Sequence, residues 1–73
     1  MTEIPLLALV ALTADVPEKG LTRGQIGTVV ELLADGEDKA VLVEFSNDRG
    51  ETYALADLKP EQLLMLHRRN RAA

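Results

Sequence analysis

The sequence predicts a small all-β domain built from five short antiparallel strands. At 73 residues, the chain has room for one domain only. Apolar residues make up 47% of the chain and aromatic residues only 3%, which indicates a core of aliphatic side chains. Short apolar runs alternate with turns rich in glycine, aspartate and proline, and this spacing is typical of a compact all-β fold.

The first half of the chain predicts two strands joined by a long loop. Residues 7–13 form a short apolar run with no helix-capping residue before it. The loop over residues 14–25 is long for so small a domain, so we expect it to be ordered. Residues 26–33 are rich in β-branched side chains and predict the second strand. Because Val29 and Val30 are apolar in succession, we expect this strand to contact both halves of a bent core.

The second half begins with the clearest strand of the chain, residues 40–46. A turn at Asp35-Gly36 precedes it. Apolar residues alternate along the strand and mark one face: Val41, Val43 and Phe45. Residues 47–50 predict a hairpin loop, and residues 51–56 predict the fourth strand.

Two interpretations are open for the segment that follows. Pro60 disfavours helix at Lys59 and suits the first position of a single helical turn. One short turn over residues 60–62 would then lead into a last strand at residues 63–66. Leucine, methionine, glutamine and glutamate also favour helix, so a helix over residues 60–69 is the competing interpretation.

The first interpretation gives five antiparallel strands, with a long first loop and one helical turn before the last strand. This order fits a small, strongly bent barrel of the SH3-like type. We therefore assign residues 1–66 to a single barrel domain. Residues 67–73 form a basic C-terminal tail, which we expect to be flexible.

Glycines around the second strand allow either a ligand-binding or a structural interpretation. A glycine-rich loop can hold a phosphate, but the lysine and hydroxyl residues of a P-loop are missing and a strand follows instead of a long helix. We therefore predict that Gly20 and Gly24 shape the long loop. Gly27 is expected to let the strand bend or approach another backbone closely. We assign Gly36 and Gly50 to the remaining turns.

The segment over residues 10–63 resembles a family of small bacterial proteins, common in cyanobacteria, that consist of a domain of unknown function. The shared positions run through the whole segment: Val10, Leu12, Pro17, Gly20, Leu21, Gly24, Gly27, Thr28, Val29, Val30, Glu31, Val43, Glu44, Phe45, Gly50, Thr52, Ala54, Leu58, Pro60, Gln62 and Leu63. The resemblance implies a compact β-barrel with no assigned activity. It also implies gene neighbourhoods similar to those of toxin–antitoxin or effector–immunity pairs, which supplies no mechanism.

The residues that could carry catalysis or bind a metal are few. The chain has no cysteine, and its one histidine, His67, lies in the predicted tail. Glu31 and Glu44 could be cross-strand neighbours, but we expect both to be outward-facing charges. One turn is acidic but too short for a calcium loop: Asp35, Glu37 and Asp38. We therefore expect no enzyme, no metal site and no cofactor.

The charges are distributed unevenly. Twelve acidic and five basic residues lie between Glu3 and Glu61, which leaves that span with a net charge of −7. An acidic body repels polyanions, so nucleic acid is not the expected partner. An alternative role remains open, because residues 23–30 are loosely similar to a KOW motif. In that role the tail arginines would contact RNA or a ribonucleoprotein: Arg68, Arg69 and Arg71.

Surplus aliphatic residues favour protein binding. Leu42 lies opposite in parity to the core-facing residues of its strand, and exposed apolar groups often mark an interface. The candidate interface residues are Leu33, Leu42, Leu64 and Met65. We therefore expect a non-enzymatic protein-interaction module, with the antitoxin or immunity half of a protein pair as one candidate role and self-association through outer leucines as another. No signal or membrane-spanning segment is evident, so we expect a cytoplasmic location.

Overall fold

The computed structural model describes residues 4–33 and 39–67. These residues form five antiparallel strands: β1 (Leu9–Leu12), β2 (Ile26–Leu33), β3 (Ala40–Ser46), β4 (Thr52–Leu58) and β5 (Leu63–Met65). The strands make one sheet in the order β4-β3-β2-β1-β5. Two isolated turns of 3-10 helix, Pro17–Lys19 and Pro60–Gln62, complete the secondary structure of the described residues. The predicted all-β fold of five antiparallel strands is therefore confirmed.

Several predicted boundaries agree with the structure, and three strands differ. β2, β3 and the turn before β5 have the predicted limits. β1 begins only at Leu9, because Leu7 lies in a turn. β4 continues to Leu58 because Asp57 and Leu58 still pair with residues of β3. β5 ends at Met65, one residue before its predicted end.

The competing interpretation, a helix over residues 60–69, is wrong for the described residues 60–67. The helical turn ends at Gln62 because the next residues pair with β1 as β5. Thr13 holds the turn in place: its N–H donates to the carbonyl of Gln62 at 2.9 Å, and its hydroxyl donates to the carbonyl of Glu61 at 3.1 Å. Pairing with β1 therefore outweighs the helical propensity of the leucines.

The core lies on one face of the sheet and is almost entirely aliphatic. Its buried members come from all five strands and the long loop: Val10, Leu12, Val16, Leu21, Val29, Val41, Val43, Phe45, Ala56, Leu58 and Leu63. Phe45 is its single aromatic ring and is fully buried. Because strand residues alternate between faces, every second residue of β3 enters this core.

A β-bulge explains the two successive valines of β2. Val29 pairs with Val43, whereas Glu31 pairs with Leu42, so Val30 is an extra residue in β2. Val29 is fully buried and Val30 is half-buried. A bulge bends the strand and reverses the alternation of side chains beyond it.

The long loop is ordered, as the sequence predicts. Val16 and Leu21 form a β-bridge and place both side chains in the core. The carboxylate of Asp15 accepts a hydrogen bond from the backbone N–H of Arg23 at 2.8 Å. Gly24 donates its N–H to the carbonyl of Leu12 at 2.8 Å. The loop therefore packs as part of the domain and leaves no open cradle of backbone N–H groups at its centre.

The predicted roles of the turn glycines agree with the backbone angles. Gly20, Gly24 and Gly50 have φ angles of 70°, 93° and 80°, in the left-handed region that favours glycine. Gly36 lies outside the described residues.

Candidate interaction surface

The outer face of the sheet, opposite the core, carries a contiguous apolar cluster. Ala11 of β1 lies between Leu64 of β5 and Ile26 of β2, so the three side chains form a row across three strands. Leu9 lies two residues before Ala11 and is therefore on the same face. Cross-strand neighbours on one face have β-carbons about 5 Å apart, so these side chains are contiguous. We call Leu9, Ala11, Ile26 and Leu64 the outer apolar patch.

This patch is accessible although all its members are apolar. Leu64 is 57% exposed and Ile26 is 53% exposed. An antiparallel strand with one solvated face normally has polar residues at its outward positions. β1 instead reads Leu-Val-Ala-Leu and is apolar on both faces. The outward side chains of β1 are therefore apolar, unlike those of an ordinary strand with one solvated face.

Polar residues separate the outer apolar patch from the far edge of the sheet. On the outer face, Thr28 pairs with Glu44, which in turn pairs with Leu55. The hydroxyl of Thr52 donates a hydrogen bond to the carboxylate of Glu44. Beyond this strip, the edge strand β4 exposes Leu55 on the same face. Tyr53 is an extra residue at a β-bulge of β4, and its ring lies 6.4 Å from that of the core residue Phe45. The polar strip thus separates the outer apolar patch from Leu55.

A turn that precedes β1 exposes two further leucines. The N–H of Ala8 donates to the carbonyl of Pro5 at 3.2 Å, which closes a turn with Leu6 and Leu7 at its centre. Leu7 has a φ of 69° and is 70% exposed. A bulky residue at positive φ is uncommon because its β-carbon crowds the backbone. Leu7 therefore combines backbone strain with an exposed apolar side chain.

The four predicted interface residues do not form one cluster. Leu33 and Leu42 lie on neighbouring strands and are both half-buried. Leu64 lies on β5, with β2 and β1 between it and β3. Met65 alternates with Leu64 and is half-buried opposite Val10. Only Leu64 of the four belongs to the outer apolar patch.

Sequence reasoning missed Ile26, an apolar residue of β2 that is 53% exposed. A signal was available, because Ile26 alternates with the buried Gly27 and so must face outward. The sequence could not show that Ile26 lies beside Ala11 and Leu64, because that arrangement depends on how three strands pair.

The predicted paired carboxylates lie diagonally on the outer face. Glu44 is directly opposite Thr28, and Glu31 is opposite Leu42, two residues before Glu44 on β3. Diagonal neighbours are about 7–8 Å apart, so the two glutamates are not in a directly facing pair. Each is solvent-accessible to some degree, and Glu44 accepts its hydrogen bond from Thr52.

Other candidate residues lie apart from these surfaces or outside the described residues. His67 is exposed at the end of the described chain. Within residues 4–33 and 39–67, no three His, Cys, Asp or Glu residues lie close enough together to hold a metal ion. The acidic turn and the tail arginines fall outside the described residues: Asp35, Glu37, Asp38, Arg68, Arg69 and Arg71. Among the described residues, no helix has the length and hydrophobicity needed to cross a membrane.

The fold and its outer face define a class: a small all-β domain of one antiparallel sheet that displays an apolar patch. A family model described as "Domain of unknown function (DUF4926)" matches residues 6–65, and the chain belongs to this family. Comparison with curated proteins and with solved structures gives no significant match.

Proposed function

We propose that the protein is a non-enzymatic protein-interaction module that binds its partner through the outer apolar patch. The row of Leu64, Ala11 and Ile26 across three strands is the observation that supports this proposal. Apolar groups held side by side on a rigid sheet lose little conformational entropy when a partner covers them. Contiguous exposed apolar surface is also a common mark of a binding site.

The partner we propose is a second small protein with an apolar contact area and basic surroundings. Between Glu3 and Glu61 the chain carries a net charge of −7, so a basic rim on the partner would complement it. This chemistry is compatible with the antitoxin or immunity half of a protein pair, encoded beside its target. We place the complex in the cytoplasm, since the chain has no cysteine that an oxidising compartment would pair.

The test is affinity purification of the tagged chain from its source organism, with matched variants. Leu64→Lys puts a charge into the outer apolar patch and should lower recovery of a stoichiometric protein partner about tenfold or more. Leu55→Lys is the control, because Leu55 is similarly exposed but lies across the polar strip on β4. Circular dichroism must show that both variants fold like the native chain.

Two outcomes would contradict the proposal. One is recovery of no stoichiometric protein at all, and the other is a partner that Leu64→Lys retains. Recovery of RNA that survives Leu64→Lys but disappears when Arg68, Arg69 and Arg71 become serine would favour the KOW-like alternative instead. Such RNA binding should also weaken steeply as salt rises.

A further inference from the structure

The charged residues of the sheet are all acidic and lie on its outer face. The sequences of the five described strands contain three charged residues: Glu31 of β2, Glu44 of β3 and Asp57 of β4. Glu31 and Asp57 pair with Leu42 from its two sides, and Glu44 lies two residues beyond Leu42 on β3. Directly paired residues share a face, as do residues two apart in one strand. The three carboxylates therefore surround Leu42.

An apolar stripe runs along the middle strand between these acids. Ala40 and Leu42 face outward because Val41, which lies between them, is buried in the core. Both outward side chains are half-buried, whereas Glu31 and Asp57 on the flanking strands are exposed. We call the outward residues of this region the acidic surface: Glu31, Ala40, Leu42, Glu44 and Asp57.

The strand pairing under the acidic surface includes one bulge and avoids the other. The extra residue Val30 is already allowed for in the pairing of Glu31 with Leu42. The bulge at Tyr53 comes before this region, and β4 pairs regularly with β3 from Ala54 to Leu58. Lys39 and Lys59 lie outside the strands, and Lys59 already has an interaction within the chain. The charges that the strands themselves offer to a partner are therefore those of the three acids.

We propose that the acidic surface binds a basic amphipathic α-helix of a partner protein, laid along β3. The apolar side of the helix covers Ala40 and Leu42, and arginines on its two flanks bond with Glu31 and Asp57. Adjacent strands lie about 4.8 Å apart, so these two acids are separated by about 10 Å across β3. A helix with its side chains is about 10–12 Å wide, which matches that separation.

Charge selects this occupant over a second copy of the chain. Two acidic surfaces placed face to face would bring three carboxylates against three carboxylates, which is destabilising. Arginine neutralises such groups and binds a carboxylate through two parallel hydrogen bonds. An ordinary solvated surface carries both signs of charge interspersed, whereas a face of one sign attracts a partner of the opposite sign. The acidic surface is separate from the outer apolar patch, so it can bind a helix whether or not the patch is occupied.

The probe for this surface is a synthetic helical peptide of about 16 residues, long enough to form helix in water. It carries alanine and leucine along one side and arginine on both flanks. The comparison peptide has glutamine at the arginine positions, because glutamine keeps a similar helix propensity. Fluorescence anisotropy at low salt should give a dissociation constant below about 1 mM for the arginine peptide and at least fivefold weaker binding for the glutamine peptide. Binding of the arginine peptide should weaken as salt rises.

Two double variants of the chain separate local charge from total charge. Glu31→Gln with Asp57→Asn should weaken binding of the arginine peptide about tenfold, because both flanking carboxylates are lost. Glu18→Gln with Glu61→Gln changes the net charge equally at exposed positions of the two 3-10 turns and should leave binding unchanged.

NMR titration locates the bound peptide on the native chain. The amides of Ala40 and Leu42 should shift on addition of the arginine peptide, whereas those of Ala11 and Leu64 should not. Leu64→Lys should bind the peptide like the native chain. Replacement of Arg68, Arg69 and Arg71 by serine should also leave the affinity unchanged.

Several results would overturn the proposal. They are binding weaker than about 1 mM, equal binding of the two peptides, and equal losses in the two double variants. Amide shifts confined to the outer apolar patch, or lost binding in Leu64→Lys, would place the peptide on that patch instead. Tighter binding after the arginines become serine would mean that the chain's own C-terminal residues occupy the acidic surface. None of these results depends on whether the outer apolar patch has a partner.

Discussion

Gly27 of β2 lies so close to Val43 of β3 that no β-carbon fits between them. A β-carbon added to Gly27 would lie 2.5 Å from Val43 Cγ1 and 2.8 Å from the backbone oxygen of Glu44. The oxygen belongs to a paired strand and cannot move without distorting the sheet. This close approach confirms the sequence-based expectation for Gly27 and gives the physical reason for a glycine there.

Gly27→Val should therefore lower the free energy of unfolding by about 3 kcal/mol or more, because the added side chain would clash with the backbone of β3, which cannot move to make room for it. Urea unfolding followed by circular dichroism measures the loss. Gly50→Ala is the control: it has open space within 4 Å and only an unfavourable φ of 80°, so it should cost about 1 kcal/mol. Equal losses in the two variants would contradict the clash at Gly27.

Leu7→Asn should raise the free energy of unfolding by about 0.5–1 kcal/mol. Asparagine tolerates positive φ better than leucine, and little buried surface is lost at a residue that is 70% exposed. Leu6→Asn in the same turn is the matched control and should give no gain. A thermal or urea midpoint that moves equally in both variants would show that the backbone strain at Leu7 is not the cause.

Phe45→Ala should leave the chain largely unfolded at 25 °C. Removal of a fully buried phenylalanine costs about 3–5 kcal/mol, and that loss is comparable to the whole stability expected of so small a core. Amide dispersion in a proton NMR spectrum measures the outcome. Leu55→Ala, which removes a half-exposed side chain from β4, should keep the native spectrum. A cooperative transition with an unchanged midpoint in Phe45→Ala would refute the assignment of Phe45 to the core.

Gln25 should couple the long loop to β4. Its side-chain amide donates to the hydroxyl of Tyr53 at 2.9 Å, and its side-chain carbonyl accepts the N–H of Thr22. Gln25→Ala removes both bonds and should cost about 1–2 kcal/mol, whereas Tyr53→Phe removes one exposed bond and should cost about 0.5 kcal/mol. A double-mutant cycle in urea should give a coupling energy of about 0.5 kcal/mol. Strict additivity would mean that the bond between the two side chains does not contribute.

Local patterns predicted the middle of the chain better than its ends. β3 has buried apolar residues at every second position, β2 is rich in β-branched side chains, and both strands have the predicted limits. The start of β1 was not predictable, because the leucines before it fit a strand as well as they fit a turn. Leu7 adopts a positive φ and lies in the turn before β1. Its N–H donates to the carbonyl of Val29 at 2.7 Å. That bond joins parts of the chain that no local pattern connects.

The candidate surface was predictable only in part, for the same reason. The alternation along β3 correctly placed Leu42 on the outer face, and the same rule would have placed Ile26 there. Which outward residues become neighbours depends on strand order and register. Leu64 contacts the surface of β1 because β5 returns to pair with Ala11.

The return of β5 to β1 also orders the events of folding. The hydroxyl of Thr13 bonds with the carbonyl of Glu61, 48 residues further along the chain, whereas β2, β3 and β4 follow one another as hairpins. Closing the longer loop costs more chain entropy, so the hairpins are expected to form first and the edge beside β1 last. During synthesis on the ribosome, β1 emerges first but can pair with β5 only after Leu63–Met65 have been made. Until then, the apolar residues of β1 and its unpaired edge can bind chaperones or wrong partners.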